Sequence, residues 1–79
     1  MTYPRLTWSR GVVASAVLHR TKADMVLVGE VTDFGLDGPD RWRADWLGGG
    51  VIDRAAFSSS DEARAWVREL VVSRMGAAL

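Results

Sequence analysis

His19 and Ser15, placed on one face of a strand, are the residues from which a nucleophile and its base could be assembled. Acyl transfer by such a pair also needs an orienting carboxylate, an oxyanion hole and a substrate cleft. A single small layer of sheet and helix has little room for them, so His19 reads as a strand-end histidine at the mouth of a turn. Asp33, Asp37 and Asp40 share a glycine-containing loop and raise the question of calcium. An EF-hand loop places its ligands at alternate positions, with a central glycine and a closing glutamate. Here the spacing is four then three and no glutamate closes the loop, so turn formation accounts for the aspartates. Gly48, Gly49 and Gly50 lack the spacing of a phosphate loop and join two strands, which makes them a hairpin turn. Asp61 and Glu62 belong to a helix cap, not to an acid–base pair. With no cysteine and one histidine, thiolate chemistry and multi-histidine metal centres are excluded. The expectation is a protein that is not an enzyme, with no catalytic residue, no metal and no cofactor.

Binding is the remaining chemistry. Four tryptophans are many for 79 residues. Trp42, Trp46 and Trp66 fit a core between sheet and helix by their periodicity, whereas Trp8 lies outside the regular pattern. Trp8 either staples the N-terminal segment down or joins an exposed contact patch. Tryptophan and arginine are the residue types that anchor interfaces. Arg41, Arg43, Ile52 and Arg54 are expected together on the sheet face away from the helix, with Asp45 as a local partner for the arginines. These four and Trp8 are the candidate partner-binding residues.

The elements that would position them can be read from hydrophobic period and turn chemistry. Residues 11–19 (GVVASAVLH) and 25–33 (MVLVGEVTD) read as strands, with Gly29 marking a bulge or a close backbone approach. Residues 34–40 (FGLDGPD) form a loop. Residues 41–47 alternate strictly, with Trp42, Ala44 and Trp46 opposite Arg41, Arg43 and Asp45. Residues 51–57 return as a fourth strand. Ser59 and Glu62 form a capping-box pattern, and Ala63, Trp66, Val67, Leu70 and Val71 make one apolar stripe of a helix over 59–75 that stops at Gly76. The fold class is α+β, an antiparallel four-stranded β-meander with one C-terminal α-helix on one face. Residues 1–79 form a single small domain: an N-terminal segment over 1–10, the sheet over 11–57 and the helix over 59–75.

One helix covers one face of a sheet. The third and fourth strands suit that arrangement, having one apolar and one polar row. The first two do not: Val13 and Val17 oppose Val12 and Leu18, and Leu27 and Val31 oppose Val26 and Val28. Strands apolar on both sides normally have both faces covered. The cover is expected from the N-terminal segment with Tyr3, Leu6 and Trp8, from a second copy in a homodimer, or from a foreign protein. A chain this short buries only about 60% of its unfolded surface, which favours association.

Composition narrows the partner. Apolar residues make up 48% and charged residues 25%, ordinary for a folded domain. Ten basic and ten acidic residues cancel, so nothing in the charge favours nucleic acid or an anionic membrane. The apolar run over 11–18 follows Arg5 and Arg10 and contains Ala14-Ser15-Ala16, a superficial cleavage triplet. Only Gly11, Val12 and Val13 precede that triplet, too few for a secretory signal, and the run is too short to span a bilayer. A cytoplasmic protein is expected. Nine arginines against one lysine suggest a GC-rich coding genome.

From Trp42 to Leu70 the chain runs as a Trp-bearing strand, a glycine turn, a strand ending in Phe57, then Ser59, Glu62-Ala63 and Trp66. This resembles the end of AP2-like integrase N-terminal DNA-binding domains. The resemblance implies a sheet lying in the DNA groove, with Arg41, Arg43 and Arg54 as contacts. The same corner, with Phe57 nine residues before Trp66, also looks like small phage-encoded inhibitors of type I CRISPR interference complexes (anti-CRISPR proteins). That resemblance implies a chain without catalysis that occupies a surface of a host complex. The expected function is therefore a small binding protein, phage- or mobile-element-encoded, acting by occupation of a protein partner. An AP2-like DNA-binding module is the alternative.

Overall fold

The structure, a computed structural model, describes residues 2–50 and 52–79. Five strands precede one helix: β1 (Arg5–Trp8), β2 (Val13–His19), β3 (Met25–Asp33), β4 (Trp42–Trp46), β5 (Asp53–Phe57) and α1 (Ser60–Met75). They form one antiparallel sheet in the order β1-β2-β3-β4-β5. The α+β meander with a C-terminal helix is as expected, but the sheet has five strands, not four. The extra strand comes from the N-terminal segment, where Arg5-Leu6-Thr7-Trp8 alternates polar and apolar over four residues and pairs with Ala16–His19. Ser9 closes the β1–β2 connection: its N–H donates to the Ser15 carbonyl and its Oγ accepts from the Ser15 N–H. This connection takes Gly11 and Val12 out of β2. The expected start of the last strand at Val51 lies outside the described residues.

The helix is positioned by its ends. Ser59 is extended and its side chain accepts from the Glu62 N–H, while the Glu62 carboxylate accepts from Ser58 Oγ. Asp61 and Glu62 sit at the positive end of the dipole, and Arg74 in the last turn pairs with Asp53 at the start of β5. Gly76 terminates α1 in the left-handed conformation at φ 65°. Ala63, Val67 and Val71 are buried against β3, β4 and β5, and Trp66 and Leu70 flank them, Trp66 meeting Phe57 at 6.0 Å between ring centroids.

The core between helix and sheet is made of Ala16, Leu18, Val28, Val31, Ala44 and Trp46 with the three helix residues. Its key irregularity is in β3. Ala16 pairs with Gly29 while Val17 pairs with Leu27, so Val28 is an extra residue and β3 carries a bulge. Val28 and Gly29 both face the helix, and the alternation is inverted beyond them. Val31 therefore sits in the core beside Val26 and Val28. The expectation that Val31 shares a face with Leu27 is overturned: Leu27 stays on the far side at 45% exposed, and Val31 is buried. Gly29 is also a point of close approach between helix and sheet. A Cβ there would lie 2.9 Å from a Val67 methyl and 3.0 Å from the Asp45 carbonyl oxygen.

The glycine turn has a packing role as well. A Cβ on Gly48 would stand 2.5 Å from the Trp46 ring, so this glycine lies directly against the buried indole. Because the Asp45 carbonyl that crowds Gly29 is backbone and cannot move aside, Gly29→Ala is expected to cost about 1–3 kcal/mol. Urea unfolding would measure it. In a double-mutant cycle with Val67→Ala, itself costly because it opens a cavity, the combined loss should be smaller than the sum of the two, since one clash is then removed.

Candidate functional site

Within each strand alternate residues meet the helix and the others form an open face, with the parity switching at the bulge in β3. Leu6 and Trp8 of β1 join the helix side, packed against the core. The N-terminal segment thus does not shield the second face. It extends the sheet sideways and adds Arg5 and Thr7 to the uncovered surface. The open face carries Val13, Ser15, Val17 and His19 from β2 and Met25, Leu27, Glu30 and Thr32 from β3. From β4 and β5 come Arg43, Asp45, Arg54 and Ala56. Val13, Met25 and Leu27 are exposed there, while Val17 is half-buried.

Polar groups on this face pair laterally with one another. Arg54 Nε donates to Asp45 Oδ1 at 2.7 Å, and Arg43 Nη2 lies 3.4 Å from Asp45 Oδ2, so one carboxylate is held between two guanidiniums. Glu30 stands opposite Asp45 in the β3–β4 register. Two carboxylates directly across a strand pair repel, and the flanking arginines compensate. Arg43 also stacks its guanidinium over the Phe34 ring at 4.9 Å. Its Nε is buried without a hydrogen-bond partner among the described residues. His19 Nε2 and Thr7 Oγ1 share a hydrogen bond of 2.8 Å. The histidine is thereby engaged across the β1–β2 pair, while the Ser15 N–H is bound to Ser9.

The five candidate residues divide. Arg43 and Arg54 come together around Asp45 as the alternation predicts. Ile52 is 61% exposed just before β5, with the same parity as Arg54. Arg41 lies just before β4 and is committed elsewhere: its Nε and Nη2 donate to the two oxygens of Asp33 at 3.0 and 3.2 Å, and its guanidinium lies over Trp42. Trp8 is not part of the arginine face. It is half-buried on the helix side, with the Arg64 guanidinium 5.2 Å from its ring, because β1 extends the alternation and directs even-numbered residues inward. Residues the sequence reading passed over also stand on this face. Met25 and Glu30 are the main ones, and strict alternation along 25–33 would have shown Met25.

Asp33 anchors the loop that follows β3. Its carboxylate accepts from Arg41 and from the Gly35 N–H at 2.8 Å, and these bonds, the arginine's first, hold its pKa below the ordinary aspartate value. The same pair raises the pKa of Arg41. Among the described residues no cluster of three or more histidine, aspartate or glutamate side chains is arranged to hold a metal, and no helix is long and apolar enough to cross a membrane. A shallow groove runs along the outer ridge of α1, lined by Ala65, Arg68, Glu69, Val72 and Ser73, away from the sheet. No family model matches the chain, and neither does any curated protein or solved structure.

Asp33 favours the folded state as a carboxylate, so its contribution is complete above the ordinary aspartate range, near about pH 4, and is lost as pH falls through its lower folded value. Urea midpoints of the wild type and Asp33→Asn are expected to differ at neutral pH and to converge at low pH.

Proposed function

We propose that this chain is a non-catalytic binding module whose open sheet face seats on a protein partner. The observation that carries the reading is the one-sided sheet. Val13, Met25 and Leu27 remain in solvent beside a charge cluster in which Arg43 and Arg54 are balanced by Asp45 together with Glu30 opposite it. Apolar side chains bordered by arginine match the anatomy of a protein interface. Phosphate recognition needs uncommitted cations, whereas here Arg41 faces Asp33, and Arg43 and Arg54 flank Asp45 with Glu30 opposite. That pairing supports a protein partner over DNA. In its finer form, suggested by the resemblance to phage-encoded inhibitors, the partner is a host complex whose surface is occupied.

Arg54→Ala and Leu27→Glu each alter the face without touching the core. Either is expected to weaken partner capture from the native host by about tenfold or more, with the thermal midpoint close to wild type. Full capture by both variants would remove the assignment of this face. A duplex-DNA titration at low salt is expected to show no binding. Binding that falls steeply with salt would replace the protein reading with the nucleic-acid one. Light scattering that shows a dimer lost in Leu27→Glu would make a second copy the occupant.

A further inference from the structure

An apolar patch stands at one end of the sheet; it shares Val13 with the open face, but the sheet-face reading does not use Val12, Phe34 or Leu36. The start of β2, the end of β3 and the β3–β4 loop meet there. The Asp33 N–H donates to the Val12 carbonyl, Val13 pairs with Thr32, and the Phe34 N–H donates to the Arg41 carbonyl. Four large apolar side chains are exposed at this end: Val12 at 67%, Leu36 at 60%, Phe34 at 46% and Val13 at 45%. The loop holding two of them is shaped, not slack. Asp33 Oδ1 binds the Gly35 N–H, Gly35 and Gly38 take positive φ of 68° and 116°, and Arg43 stacks on Phe34. These contacts hold the loop in a form that leaves Phe34 and Leu36 exposed.

The charges around the cluster indicate what would cover it. Arg41 is engaged by Asp33, and Arg43 and Arg54 share Asp45 with Glu30 opposite, so these groups cancel. Asp37 and Asp40, both exposed on the same loop, have no salt bridge among the described residues, and Asp37 acts on Arg41 only through its field. Arg10 on the adjoining β1–β2 turn offsets one of them, so the rim keeps an acidic surplus. An apolar patch with an acidic rim is complementary to an apolar segment flanked by cations, and like-charged segments are rejected. The geometry points to this end of the sheet as a docking site for a partner-protein segment in which Lys or Arg borders aliphatic or aromatic residues. The site adjoins the open face and shares Val13 with it, while Leu36 belongs to this end alone.

Selection of a random peptide library against the full chain tests the assignment. Enriched peptides are expected to carry Lys or Arg next to Leu, Ile or Phe. Their binding should fall about tenfold or more in Leu36→Ser. The preference for basic over neutral versions should vanish in Asp37→Asn/Asp40→Asn. Leu27→Glu, on the open face, should leave this binding unchanged, which keeps failure here distinct from failure of the sheet-face reading. Failure to enrich any peptide, acidic consensus sequences, or binding indifferent to Leu36→Ser would each overturn the proposal. So would a dimer in light scattering that dissociates in Leu36→Ser, which would make a second copy the occupant.

Discussion

The contact between Gly29 and Val67 governs the rest of the molecule. A helix can lie close to a sheet only where the strand beneath offers no side chain, and Gly29 is that point. Because Gly29 follows Val28 on the same side of the sheet, the approach comes with a bulge, and the bulge inverts the alternation of β3. Val26, Val28 and Val31 then share one face, which would otherwise carry only two of them. Ala16 and Ala44 continue the low floor on either side, and Trp46 fills the space under Gly48. One helix suffices for the core because a one-residue irregularity gathers the aliphatic side chains of β3 on its side.

The opposite face follows from the same economy. With a single helix and a terminal segment that becomes an edge strand, no described element is left to cover the far side. Exposed ion pairs such as Arg54–Asp45 hold little stability, about 0–1 kcal/mol. Their role on this face is to cancel charge so that neither the arginines nor the adjacent carboxylates dominate the surface field. A surface of that kind, part apolar and with Arg43 and Arg54 paired to a carboxylate, is what supports the protein partner proposed above.

Much of the architecture was legible in the residues. The strict alternation of 41–47 located β4 and put Asp45 beside the arginines of that face, which holds for Arg43 and Arg54, whereas Arg41 pairs with Asp33. The serine–glutamate spacing at Ser59 and the glycine at 76 bounded the helix, and Gly29 was recognisable as a special position. The strand in residues 5–8 escaped because four residues of alternation are too few to separate from chance, and its partner β2 is what stabilises it. The sidedness of Trp8 escaped with it. Phe34 and Leu36 read as loop residues because Gly35, Gly38 and Pro39 surround them, and composition cannot say whether a loop turns its apolar residues in or out.

Local period, capping and turn chemistry belong to the sequence itself: each depends on neighbours a few residues apart, so the order of β2 to β5 and α1 and the alternation of β4 were determined without a fold. Which face each side chain occupies in β1 and β3 was decided only by tertiary structure. A bulge is fixed by the register of adjacent strands and by the helix pressing on them, and a short edge strand exists only when its neighbour is already in place. Those are distant contacts, and the far side of the sheet took its final composition from them.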